Sequence, residues 1–85
     1  MKSFTYVIRD EIGVHARPAG LLVKQAKSFQ SSCIIHAGVK CADLSRLFQV
    51  IGMGIEQGTE VTVTAEGPDE NAAISALEKV LKENL

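Results

Sequence analysis

The spacing of apolar residues switches between two periods along the chain, and that switching limits the fold more than any other feature. Phe4, Tyr6 and Ile8 alternate with Thr5 and Val7, the pattern of a strand with one buried face. Arg9 to Val14 reads as a loop, with Asp10 and Gly13 as its turn residues. From about Ala16 to about Lys27 the period lengthens: Ala19, Leu22, Val23 and Ala26 share one helix face, and Phe29 extends the stripe. Pro18 falls in the first turn, where amides lack intrahelical acceptors and its missing N–H costs little. Period two returns at Cys33, Ile35 and Ala37, then Gly38-Val39 reads as a tight turn and Lys40 to Asp43 as a short return strand. Leu44, Leu47, Phe48, Val50 and Ile51 cluster over about two turns of a short helix, which Gly52 and Gly54 end. A strand from about Thr59 to Ala65 turns Val61, Val63 and Ala65 inward. After Gly67-Pro68, Asp69 is placed to cap a final amphipathic helix carrying Ala73, Ile74, Leu77, Val80 and Leu81. The order βαββαβα predicts an α+β fold: a two-layer, open-faced β-sandwich in which three helices cover one face of a four-stranded antiparallel sheet.

Eighty-five residues hold one domain, 1–85, and a chain of this size buries only roughly 60% of its unfolded surface. Function is therefore expected on the surface or in a loop, not in a large pocket. Nine Lys and Arg against ten Asp and Glu give a net charge of −1, which argues against binding nucleic acid through a broad basic face. No apolar run reaches the ~18 residues of a membrane span. No apolar leader core follows Met1, so a cytoplasmic location is expected. With only two cysteines, a disulfide framework is not expected. Cys33 reads as a small core residue, Cys41 as a partly exposed thiol and His36 as an exposed strand residue. Alternation separates Cys33 from His36 and no fourth ligand is at hand, so no metal site is expected.

Packing does not explain Gly13-Val14-His15-Ala16-Arg17-Pro18-Ala19-Gly20. His15 stands where Ser, Thr, Asp or Asn would normally cap a helix. The positive end of a helix favours a neutral imidazole and stabilises an anion beside it. Arg17 is close enough in sequence to pair with phosphate oxygens. An imidazole, an anion-binding helix start and an arginine are the parts that phosphoryl transfer to nitrogen needs. The same residues also suit a plain surface loop and a solvated helix cation, and on these grounds alone the two readings balance. No partner carboxylate or second nucleophile is expected nearby in sequence, so a Ser-His-Asp triad has no support.

The segment resembles the active-site motif of HPr, the histidine-containing phosphocarrier family of the bacterial phosphoenolpyruvate-dependent sugar phosphotransferase system. Leu47-Phe48, Gly54-Ile55, Gly58-Thr59, Ala65-Glu66-Gly67 and Asp69-Glu70 resemble later landmarks of that family, so the likeness spans the whole chain without gaps. The resemblance implies that His15 accepts a phosphoryl group on Nδ1 from enzyme I and donates it to the A component of a sugar-specific enzyme II, with Arg17 steadying the group. It implies a phosphorylated intermediary, not an enzyme acting alone on a small substrate, and no cofactor. It also implies a docking patch beside the histidine, to which Leu47, Phe48 and Ile51 contribute, with Gly20, Lys24 and Lys27 nearby on the first helix. Leu44, Leu47 and Val50 suit the core better; Phe48 and Ile51 suit an exposed patch. A monomer is expected, since a carrier must present one face to successive partners.

Many Gram-positive family members carry a regulatory serine, and the matching position here is Arg46. Ser45 lies one residue earlier, turned by roughly 100° on a helix, so a kinase reading the next position is expected to miss it. The alternative readings are a regulatory HPr-like protein acting by binding partners and a phosphocarrier of a nitrogen-related branch. A retained histidine–arginine pair favours a carrier over a pure binding module.

Overall fold

The computed structural model describes residues 1–85. Seven elements follow one another: β1 (Lys2–Val7), α1 (Ala16–Lys27), β2 (Ser32–Ala37), β3 (Lys40–Asp43), α2 (Leu47–Gly52), β4 (Glu60–Glu66) and α3 (Glu70–Asn84). The strands form one antiparallel sheet in the order β1-β4-β2-β3. This is the expected βαββαβα open-faced sandwich. β4 sits between β1 and β2, so the late strand joins the early ones: Phe4 lies opposite Val63, and Ile35 opposite Val63 on the other side. Gly38, at φ +62°, supplies the backbone of the two-residue turn between β2 and β3, a conformation in which a Cβ is penalised.

One face of the sheet and the inner faces of the helices share a single core. Ile8, Leu22, Ile35, Leu44, Val50, Val61, Val63, Leu77 and Leu81 are fully buried in it. Each such side chain contributes about 1.5–3 kcal/mol relative to full exposure. Phe4, Tyr6, Phe29, Ile74 and Val80 close its margin, half-buried. Cys33 is buried and Cys41 exposed, both as free thiols. The other sheet face is open. On it Thr5 and Thr62 touch through their hydroxyls at 3.4 Å, and His36 lies opposite Cys41. Strand alternation alone predicts full exposure for His36, but it is half-buried, because Thr62 and Cys41 flank it in the neighbouring strands. No helix is long and apolar enough to cross a membrane.

Asp69 departs from its expected role. It occupies the N-cap position of α3, but its side chain makes no capping hydrogen bond. Instead the carboxylate reaches the loop between α1 and β2, where it accepts the Gln30 N–H at 2.8 Å, the Ser31 N–H at 2.9 Å and the Ser31 hydroxyl at 2.5 Å. These donors, the Ser31 hydroxyl foremost, hold its pKa below the ordinary carboxylate value. A carboxyl depressed in the folded state stabilises the fold above its unfolded pKa of about 3.9, and that contribution disappears as pH falls through the folded value. Asp69→Asn is therefore expected to lower the urea midpoint at neutral pH and to flatten its loss on acidification. Midpoints measured from neutral pH down to about pH 3 check this, and parallel curves for both proteins would refute it.

Candidate functional site

The loop between β1 and α1 is tied down along its whole length. The Ile8 N–H donates to the Thr59 carbonyl at 3.0 Å, and the Gly58 N–H returns a bond to the Ile8 carbonyl at 2.8 Å. The Asp10 N–H donates to the Leu85 carbonyl oxygen at 2.9 Å, and Gln57 Nε2 donates to the Arg9 carbonyl at 3.0 Å. Asp10 Oδ1 accepts the Ile12 N–H at 2.9 Å, the side-chain turn that aspartate favours. Val14 then pins the loop to the segment after α2 through a 3.0 Å bond from its N–H to the Ile55 carbonyl. Gly13 makes that approach possible, since a Cβ there would run into Ile55 and Glu56.

The result is a fixed takeoff for α1. His15 is its N-cap, with extended backbone, and the His15 carbonyl accepts the Ala19 N–H at 3.0 Å. Its imidazole makes no capping hydrogen bond, so the ring is free for other work. The Ala16 and Arg17 N–H groups have no acceptor in the protein, and Pro18 brings no N–H to satisfy. An anion at this helix start would meet two free amides and the positive end of the helix. The His15 side chain is 32% exposed, enough for a partner to reach it. Arg17 is exposed, and no carboxylate pairs with it.

Lys24 and Lys27 are also exposed, in the last turn of α1, and α1 has no acidic residue to neutralise them. Gly20 is half-buried, and a Cβ on it would meet nothing within 4 Å. Gly20→Ala is thus expected to stabilise the protein by about 1 kcal/mol through helix propensity. A lower urea midpoint would show that the apparent free space is illusory. If Gly20 also lies under a docked partner, the same variant weakens that partner's binding while the fold gains stability.

α2 packs against α1 and β3. Val50 is its buried anchor, Leu47 and Ile51 are half-buried against the core, and Phe48 is 84% exposed. Of the expected apolar patch, Phe48 is thus the free side chain and Ile51 only a partial contributor, because a six-residue helix turns both Leu47 and Ile51 toward the core margin. Arg46 is the N-cap of α2 and exposed. The Ser45 hydroxyl donates to Asp43 Oδ1 at 2.7 Å, and the Ser45 N–H reaches the same oxygen at 2.8 Å. The hydroxyl bond, with the backbone bond behind it, lowers the Asp43 pKa.

Two residues of the site are not evident from the sequence. Local pattern marks Asp10 only as a turn residue, yet its Oδ1 lies 4.0 Å from His15 Nε2, so a carboxylate does stand beside the histidine. Nothing in the sequence singles out Ile12, and it is 72% exposed in the same loop. The available signal is the Asp-x-x-Gly spacing from Asp10 to Gly13, which makes a turn compact enough to bring its first residue back toward His15. The two surface concavities, one beside Lys40 and Met53 and one between α1 and α3, do not include His15. No group of three or more His, Cys, Asp or Glu side chains is placed to hold a metal ion.

Known proteins share this arrangement. The sequence model of the family described as the PTS HPr component phosphorylation site matches residues 2–83. The phosphocarrier protein HPr of Mycoplasma capricolum is 40% identical over 81 residues, covering 95% of this chain and 91% of the relative. The HPr of Lysinibacillus sphaericus is 37% identical over 83 residues, covering 98% of this chain and 94% of its own. Among solved structures, a mycoplasma histidine-containing phosphocarrier protein superposes with a TM-score of 0.94 at 38% identity, over 96% of this chain and 93% of the other. Fold and full-length similarity agree, and the chain belongs to the HPr family of phosphocarrier proteins.

Proposed function

We propose that this protein accepts a phosphoryl group from phospho-enzyme I on His15 and donates it to the A component of a sugar-specific enzyme II. The observation that carries the reading is the half-exposed His15 at the start of α1, beside two unpaired amides and the unpaired Arg17. The amides and Arg17 stabilise the phosphoryl group where it arrives, and the fixed loop positions the ring before a partner binds. Phe48, Lys24 and Lys27, all exposed, provide apolar and cationic contacts for an acidic partner face, and the half-buried Gly20, Leu47 and Ile51 contribute to it in part. The protein acts as a cytoplasmic monomer in this reading, and light scattering that finds a stable dimer covering Phe48 would overturn that part.

Intact mass after incubation with enzyme I, Mg²⁺ and phosphoenolpyruvate tests the carrier role. One added phosphoryl group, labile in acid and absent in His15→Ala, is the expected result. No gain with an active enzyme I would leave His15 a recognition residue in a regulatory protein. Sugar phosphorylation with purified enzyme II components separates the sugar branch from a nitrogen-related one. No serine switch is expected. Arg46 fills the position next to Ser45, and a phosphate on Ser45 would meet the Asp43 carboxylate that its hydroxyl now contacts. Phosphorylation of Ser45 by the family's serine kinase would overturn this point.

A further inference from the structure

We propose that Asp10 is a positioning residue for phosphoryl transfer: its carboxylate engages the Nε2 side of the His15 ring and leaves the Nδ1 lone pair free for phosphorus. The inference rests on the carrier reading of His15. Asp10 Oδ1 lies 4.0 Å from Nε2. That is longer than a hydrogen bond, but one water or a small turn of the ring spans it, and such contacts commonly tighten when a partner arrives.

Asp10 is also held in place. Its N–H donates to the Leu85 oxygen at 2.9 Å, its carbonyl accepts the Gly13 N–H at 3.0 Å, and Oδ1 accepts the Ile12 N–H at 2.9 Å. Both side chains are about equally shielded, 32% exposed for His15 and 28% for Asp10, so their attraction is only partly screened.

A neutral imidazole carries its proton on one nitrogen or the other, and a neighbouring acceptor decides which. A carboxylate beside Nε2 keeps the proton there. In transfer, the Nδ1 lone pair forms the new N–P bond while the bond from phosphorus to the donor atom of phospho-enzyme I breaks, its electron pair remaining on the donor. The proton stays on Nε2 and the ring becomes cationic, facing Asp10. Donation to the next acceptor reverses these changes. Asp10 thus serves the ring, while Arg17 and the free amides serve the phosphoryl group.

Asp10→Asn and Asp10→Glu test this. Asparagine keeps an oxygen for the Ile12 N–H, so the turn survives and only the charge is lost. Nitrogen-15 NMR of the His15 ring is expected to show mainly the Nε2–H tautomer in the wild type and a clear rise of the Nδ1–H tautomer in Asp10→Asn. Phosphoryl acceptance from phospho-enzyme I is expected to slow by about tenfold with unchanged KM, the lower end of the cost of removing a carboxylate that orients a metal-bound histidine. Asp10→Glu should recover part of both effects. An unchanged tautomer ratio and an unchanged rate in Asp10→Asn would overturn the proposal. If the wild type itself accepts no phosphoryl group, the carrier reading falls, and the tautomer ratio alone decides whether Asp10 orients the ring.

Discussion

Gly13→Ala is expected to destabilise the protein by about 3 kcal/mol and to impair phosphoryl acceptance beyond what that loss explains. Two causes combine. Gly13 sits at φ +80°, a left-handed conformation that costs a residue with a Cβ about 1 kcal/mol or more. The added Cβ would also lie 2.9 Å from the Glu56 Cα and closer still to the Ile55 carbonyl oxygen. Both obstacles are backbone, so neither can swing aside, and the loop must back away from the segment after α2. Retreat breaks the 3.0 Å bond from the Val14 N–H to Ile55, and His15 is the next residue. A displacement of about 1 Å at a reacting group can cost about a hundredfold in rate. Urea midpoints give the stability change, and single-turnover transfer from phospho-enzyme I at a temperature where both proteins are folded gives the rate. A variant with wild-type midpoint and rate would show that the loop tolerates a Cβ.

Phe48→Ala should do the reverse, sparing the fold and harming recognition. Phe48 is 84% exposed, so its ring contributes little to the core, and the stability change should stay within about 0.5 kcal/mol. Aromatic side chains that a partner covers are frequent anchors of an interface, worth about 2 kcal/mol when truncated. That corresponds to a rise of roughly thirtyfold in KM for enzyme I, with little change in the rate at saturation. Equal KM values would remove α2 from the docking face and shift attention to Ile12, which is 72% exposed in the loop that carries His15.

The elements and the helix start at His15 are legible in the sequence for a common reason: each is encoded locally. Periodicity places every strand and helix, and the α1 stripe of Ala19, Leu22, Val23 and Ala26 is buried as the spacing demands. The helix-start histidine with Arg17 two residues on stands out in the sequence, and the likeness to HPr motivates the carrier role proposed for it. The hidden features depend on contacts between distant residues. The strand order β1-β4-β2-β3 arises from pairings such as Phe4 with Val63, which no local pattern specifies. Asp69 looks like a cap because that is its local option, yet the fold brings three better donors from Gln30 and Ser31. Asp10 approaches His15 because the loop between them is compacted by bonds to Ile55 and Leu85. The depth of Ile51 depends on how α2 tilts onto α1 and β3, a matter of tertiary packing.

The pairing of β1 with β4 also sets an order of events during synthesis. β1 leaves the ribosome well before its only sheet neighbour, β4, at residues 60–66. The loop after β1 likewise waits for Ile55 and Thr59 to anchor Val14 and Ile8. Helix α1 and the β2–β3 hairpin can form earlier from contacts close in sequence, while the long-range closures come late. A nascent chain therefore displays His15 long before it can hold it in place. The geometry around His15 is therefore completed late, when β4 slots into the gap between β1 and β2.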